Sequence, residues 1–99
     1  MVLERDFQAK LVKKIKKTIP GVSVMKTDPN QIQGIPDLLI LHKGRFASLE
    51  VKRSSNASRR PNQEYFVNKI NDDGGFARFV DPSNESEVIS EMETYFEGE

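Results

Sequence analysis

The sequence predicts an α/β fold, and three observations carry that expectation. Apolar residues recur at helical spacing in three segments, near the start, in the middle and at the end of the chain. Between these lie short apolar or alternating runs of strand length, separated by turns bearing Gly and Pro. Read in order, the elements run α-β-β-β-α-β-α over 99 residues, a length suited to one domain spanning residues 1–99.

Leu3, Phe7, Leu11, Ile15 and Ile19 recur every four positions with Val12 beside them, so Leu3 to Ile19 reads as an amphipathic helix. Lys10, Lys13, Lys14, Lys16 and Lys17 crowd its other side and last turns, where positive charge suits the helix dipole, and Pro20-Gly21 stops it. Val22 to Thr27 sets Val22, Val24 and Lys26 against Ser23, Met25 and Thr27, the alternation of a first strand. Asp28 to Pro36, rich in Pro, Gly, Asn and Gln, is a loop. Asp37 to His42 carries the run Leu38-Leu39-Ile40-Leu41, expected to be a strand buried on both faces. Lys43-Gly44 signals a tight turn, and Arg45 to Lys52 supplies the partner strand of an antiparallel hairpin. After the polar, basic connection Arg53 to Arg60, Pro61 opens a helix running to about Asp73, with Phe66, Val67 and Ile70 on one face and Gly74-Gly75 as its stop. Phe76 to Val80 is a short strand. Asn84 and Glu87 resemble a capping box, and Val88, Ile89, Met92, Tyr95 and Phe96 stripe a final acidic helix.

Composition narrows the function. The absence of cysteine excludes a disulfide framework and a thiolate zinc site, and the lone His42 cannot build a zinc site by itself, so it reads as structural or solvated. No apolar run approaches a membrane span, and the N-terminus lacks the apolar core of a signal peptide; a cytoplasmic protein is expected. The net charge of zero conceals an asymmetry. Residues 1–60 carry 13 Lys/Arg against 5 Asp/Glu, and residues 61–99 carry 2 against 10. A basic half of this kind favours a polyanion such as nucleic acid, although two helices with oppositely charged solvent faces would give the same count.

One constellation carries chemistry. In an antiparallel hairpin the start of the first strand lies beside the end of the second, which brings Asp37 to Glu50. Glu50 and Lys52 are two apart and share a strand face, while Val51 points the other way. Two carboxylates suit a magnesium-type cation that keeps open coordination positions, and hydrolysis of a phosphodiester needs such a cation to polarise the phosphate and activate water. An adjacent Lys can hold that water and offset the charge that builds on phosphorus. The bland reading makes Asp37 a turn-capping carboxylate and Glu50–Lys52 an exposed ion pair.

Pro36-Asp37 followed by Glu50-Val51-Lys52, within "GIPDLLIL", the hairpin and the downstream "RRPNQEYFVNKI", resembles the PD-(D/E)XK nuclease superfamily, and within it the compact VRR-NUC and Holliday-junction-resolvase-like branch. The pattern fits in order from Glu4 to Val80. The resemblance implies a restriction-endonuclease-like α/β core, with a central mixed sheet flanked by helices, to which this chain adds a C-terminal helix. It also implies dependence on Mg²⁺ or Mn²⁺ and endonuclease action on DNA. By the same matching, Asp37 and Glu50 would be metal ligands, Val51 would lend a backbone carbonyl, and Lys52 would serve the nucleophile. The family also expects a Gln where Gln63 stands and commonly an acidic residue in the first helix, where Glu4 stands.

Gln63 lies three and four positions before Phe66 and Val67, on the helix face that packs on the sheet, so its amide needs a partner that this site could supply; the alternative is a helix cap or an exposed amide. Glu4 could equally complement the helix dipole, and Tyr65 is expected to pack in the core, with stacking on DNA as the alternative. Lys10, Lys13, Lys14, Lys17, Arg53, Arg59 and Arg60 are candidate phosphate contacts, and the loop Asn30 to Gln33 precedes the site. The small size leads to the expectation of a homodimer that acts on branched DNA, Holliday junctions first, with duplex cutting or nicking second. A viral or mobile-element source would place it in the host cytoplasm. The alternatives are a non-catalytic DNA-binding or assembly module that keeps the fold, and a partner-binding protein built around the acidic last helix.

Overall fold

A computed structural model describes residues 3–28 and 30–98; Pro29 of the expected loop lies outside the described residues, as do Met1, Val2 and Glu99. The elements are α1 (Glu4–Thr18), β1 (Ser23–Lys26), β2 (Leu38–His42), β3 (Arg45–Val51), α2 (Pro61–Asp72), β4 (Phe76–Val80) and α3 (Glu85–Glu97). This is the expected order, and the boundaries differ from the sequence reading by a residue or so. No described helix is long and apolar enough to cross a membrane.

The hairpin at the centre turns on Lys43 and Gly44, whose φ values of 52° and 77° are the paired left-handed conformations of a two-residue turn matched to strand twist. Its register pairs His42 with Arg45 and Leu38 with Leu49. β1 lies antiparallel on the other side of β2, and β4 lies parallel to β3, giving a mixed sheet in the order β1-β2-β3-β4. A parallel neighbour requires a crossover, which α2 provides.

The pleat sorts side chains between two faces. On one, Leu38, Ile40, Ala47, Leu49, Val51, Phe76 and Val80 pack against Phe7, Leu11, Ile15 and Ile19 of the α1 segment and Val88, Ile89, Met92 and Phe96 of α3. The other carries Leu39, Leu41, Phe46, Ser48, Glu50 and Phe79, and α2 covers its β3–β4 part with Val67 buried. Beyond the reach of α2, Met25, Leu41 and Phe46 are exposed. The expectation of a second strand buried on both faces is therefore corrected: Leu38 and Ile40 are buried, but Leu41 is not. A helix tied to β3 and β4 by its own connections cannot also roof β1 and β2.

Two local expectations also change. Asn84 does not cap α3 through its side chain; its amide instead accepts from the Asp81 N–H and donates to the Phe79 carbonyl. Tyr65 is exposed rather than in the core, with its ring edge-on to Phe66 at 5.2 Å. His42 has a structural place, edge-on to Phe96 at 5.5 Å.

Candidate active site

Asp37 stands just ahead of β2, at a corner fixed from β1. Thr27 donates its backbone N–H to the Asp37 carbonyl at 2.9 Å and its hydroxyl to the carbonyl of buried Pro36 at 2.6 Å. The Asp37 carboxylate accepts the backbone N–H of Val51 at 2.9 Å across the hairpin. A strand residue directs its N–H and C=O toward the same neighbour, so the Val51 carbonyl also leaves on the Asp37 side. Register continues from the Leu38–Leu49 pair to place Asp37 opposite Glu50 on the face that α2 covers.

Glu50 is 4% exposed, and Lys52 directs its ammonium to Gln63 Oε1 at 2.8 Å. These two facts overturn the exposed ion pair. Gln63 is the hub: Nε2 donates to Glu50 Oε2 at 3.1 Å, while Oε1 accepts from Lys52 and from the Arg60 N–H at 3.1 Å. The last contact satisfies an orphan donor at the start of α2, so one side chain both caps the helix and ties it to the site. Pro61 at the first helical position fixes the entry of that helix.

Burial first, and the neighbouring Asp37 charge second, push the Glu50 carboxyl from an ordinary 4.5 up to about 8; the charge of Glu4 acts in the same direction, and the Lys52 charge opposes them. Glu50 Oε1 is buried without a hydrogen-bond partner. Two adjacent carboxylates, one with an orphaned oxygen, have a donor set that fits a hard divalent cation, which would relieve both the repulsion and the orphan. Among the described residues no three His, Cys, Asp or Glu side chains group as metal ligands, so the pair stands without a third carboxylate.

Two cavities meet at the pair. One, of about 250 Å³, is bounded by Gln33, Gly34, Ile35, Asn62, Gln63 and Arg60 with the two carboxylates. The other, of about 490 Å³, opens past Leu3, Glu4, Lys52, Arg53 and Ala57. Gly34 has φ of +85°, and a Cβ there would lie 2.8 Å from three atoms of Asn62, so the loop seats against α2 only as glycine.

No family model matches the sequence, and no curated protein matches it. Among solved structures, a VRR_NUC domain protein aligns with a TM-score of 0.74, covering 96% of this chain and 88% of its own, at 18% sequence identity. The chain has a VRR_NUC-like fold.

Within the VRR_NUC-like fold, Asp37, Glu50, Lys52 and Gln63 converge, and the Val51 backbone joins them. Glu4 is exposed on the wall of the larger cavity, where its charge reaches Glu50. Arg53 and Arg60 line the same cavity. The remaining basic candidates do not converge there. Lys14 is tied to Glu85 and Ser86 of α3 at 3.3 Å each, Lys10, Lys13 and Lys17 are exposed on α1, and Arg59 faces a different cavity. Sequence reading missed the Thr27 clamp and the Gly34–Asn62 contact; the glycine in the loop before the site was the available signal for the second.

Proposed function

We propose that this chain is a metal-dependent endodeoxyribonuclease of the PD-(D/E)XK type that hydrolyses DNA phosphodiesters. The observation that carries the reading is the buried, orphaned oxygen of Glu50 beside Asp37, with Lys52 held next to it by Gln63. Asp37, Glu50 and the Val51 carbonyl would hold Mg²⁺ or Mn²⁺. Such a cation, when bound, supplies Lewis acidity at the phosphate and lowers the pKa of water.

The chain's own groups do the rest. Lys52 places a positive charge beside the carboxylates, oriented by Gln63 for the attacking water and for charge developing on phosphorus. Gln63 fixes both Lys52 and Glu50, and so sets their spacing. Arg53 and Arg60, on the cavity wall, offer donors to the flanking phosphates, and the exposed lysines of α1 extend the basic surface. Glu4, on the wall of the same cavity, would add its charge to the metal site.

The finer reading is a homodimer acting on branched DNA, supported by the small size of one copy, 99 residues. Four-way junction, flap, duplex and single-stranded substrates incubated with Mg²⁺ or Mn²⁺ test the chemistry. Cleavage that is lost in Lys52→Ala and Asp37→Ala, with both variants folded, is the expected result. Equal cleavage by Lys52→Ala would remove the role assigned to that residue, and binding without cleavage would make the chain a non-catalytic module. Light scattering tests the dimer, and a monomer at working concentration would argue against symmetric cutting of two strands.

A further inference from the structure

On the β4 side of α2, a third cavity of about 470 Å³ opens between that helix and the edge strand. Arg59, Glu64, Asn68 and Phe79 are the lining residues that matter. Phe79 is the strand partner of Glu50 in the β3–β4 ladder, so it projects from the same face one strand away, about 4.8 Å across the sheet. The Arg59 guanidinium lies 4.1 Å over its ring and, among the described residues, makes no ion pair or hydrogen bond. Arg60, the next residue, lines the carboxylate cavities instead. Consecutive arginines at the start of α2 thus serve two neighbouring cavities.

A guanidinium held over an aromatic ring keeps N–H donors free and, when it lies parallel to the ring, can offer its outer face to a further π system. Phosphate oxygens take the first, and the face of an unstacked base takes the second. Glu64 and Asn68 add an acceptor and an amide to the lining, groups that match a base edge, and the second guanidinium there, Arg78, is engaged by Glu91 at 3.3 Å. The volume falls in the range of small-ligand sites, roughly 300–1,000 Å³.

We propose that this cavity is a nucleotide subsite that receives an unpaired base of the substrate strand next to the scissile phosphate, stacked on the Arg59–Phe79 platform. The proposal rests on the nuclease reading and adds a cause of selectivity to it. A closed duplex keeps its bases stacked inside, whereas a flap or branch point delivers one without unpairing cost.

The test measures binding without turnover. Fluorescence anisotropy in EDTA compares a flap oligonucleotide with the same flap made abasic at the nucleotides next to the branch. Wild type is expected to bind the base-bearing flap roughly 5- to 100-fold more tightly. In Arg59→Ala, and separately in Phe79→Leu, which keeps most of the buried volume, that ratio should collapse toward one. A ratio of one in wild type, or a ratio preserved in Arg59→Ala, overturns the subsite. Hydrolysis of bis(p-nitrophenyl) phosphate by wild type with Mn²⁺ reports on the carboxylate pair alone. An inactive protein that still discriminates bases therefore fails the nuclease reading and supports the subsite.

Discussion

The ammonium of Lys52 is held by an amide, Gln63 at 2.8 Å, and not by either neighbouring carboxylate. Because Gln63 also grips Glu50 and the Arg60 N–H, this one side chain fixes the distance between the positive and negative halves of the site. Gln63→Leu removes all three contacts. DNA cleavage is expected to fall about 10- to 100-fold, the usual cost of losing an orienting neighbour. Mn²⁺ binding, measured calorimetrically, should persist because the carboxylates remain. Cleavage at the wild-type rate would show that Lys52 needs no such support.

Asp37 has two separable duties. Its carboxylate accepts the Val51 N–H, and it stands against Glu50. Asp37→Asn keeps an acceptor for Val51 and, above about pH 8 where Glu50 is ionised, removes a repelling charge, so there the metal-free variant should melt no lower than wild type. Asp37→Ala leaves that N–H unpaired and should lose about 1–3 kcal/mol. Both should bind no Mn²⁺. Melting curves in EDTA beside calorimetric titrations separate the two duties.

Glu50 makes metal-free stability depend on pH. Its folded pKa of about 8 lies above the ordinary 4.5, so between these values the native state holds a proton that the unfolded state has released. Stability therefore falls as pH rises from about 4.5 to about 8, and levels off above, with a total loss of roughly 3–5 kcal/mol at most. Glu50→Gln should flatten that slope. Mn²⁺ affinity of wild type should rise over the same window, since binding displaces the proton. Denaturant titrations in EDTA at several pH values check the sign, and a stability that climbed from pH 5 to 8 by way of Glu50 would contradict it.

Gly34→Ala meets two obstacles, a positive φ and a Cβ pressed onto the Asn62 backbone. A loss of about 1–3 kcal/mol is expected. Displacement of the α2 start should also disturb the Gln63 contacts, so cleavage should drop further than the melting temperature alone explains. Asn62→Ala, which removes the Cγ that Gly34 abuts but leaves the backbone, should be nearly neutral in wild type and only partly rescue the double variant.

How far the sequence could be read follows from the range of the interactions. The pairing of Asp37 with Glu50 is arithmetic on a two-residue turn, and the shared face of Glu50 and Lys52 is the strand period; both need only neighbouring residues. Gln63 was reachable because a polar group on an apolar helix face must find a partner. The exposure of Leu41 was not reachable. Its apolar run looks the same whether or not a helix roofs it, and that depends on where α2 lands. Arg59 over Phe79 joins a connection to an edge strand 20 positions later, which no local period encodes. Asn84 illustrates a local rule losing to a tertiary one, since its amide closes the β4–α3 corner instead of capping α3.

The groups that meet at the carboxylate pair come mainly from one unbroken stretch, Asp37 to Gln63. Short loops cost little entropy to close, and contacts between near neighbours form fast. The carboxylate cluster is therefore closed by short loops, and a chain reopened at the Asp81–Ser83 corner, with its old ends joined, would keep that cluster in one piece.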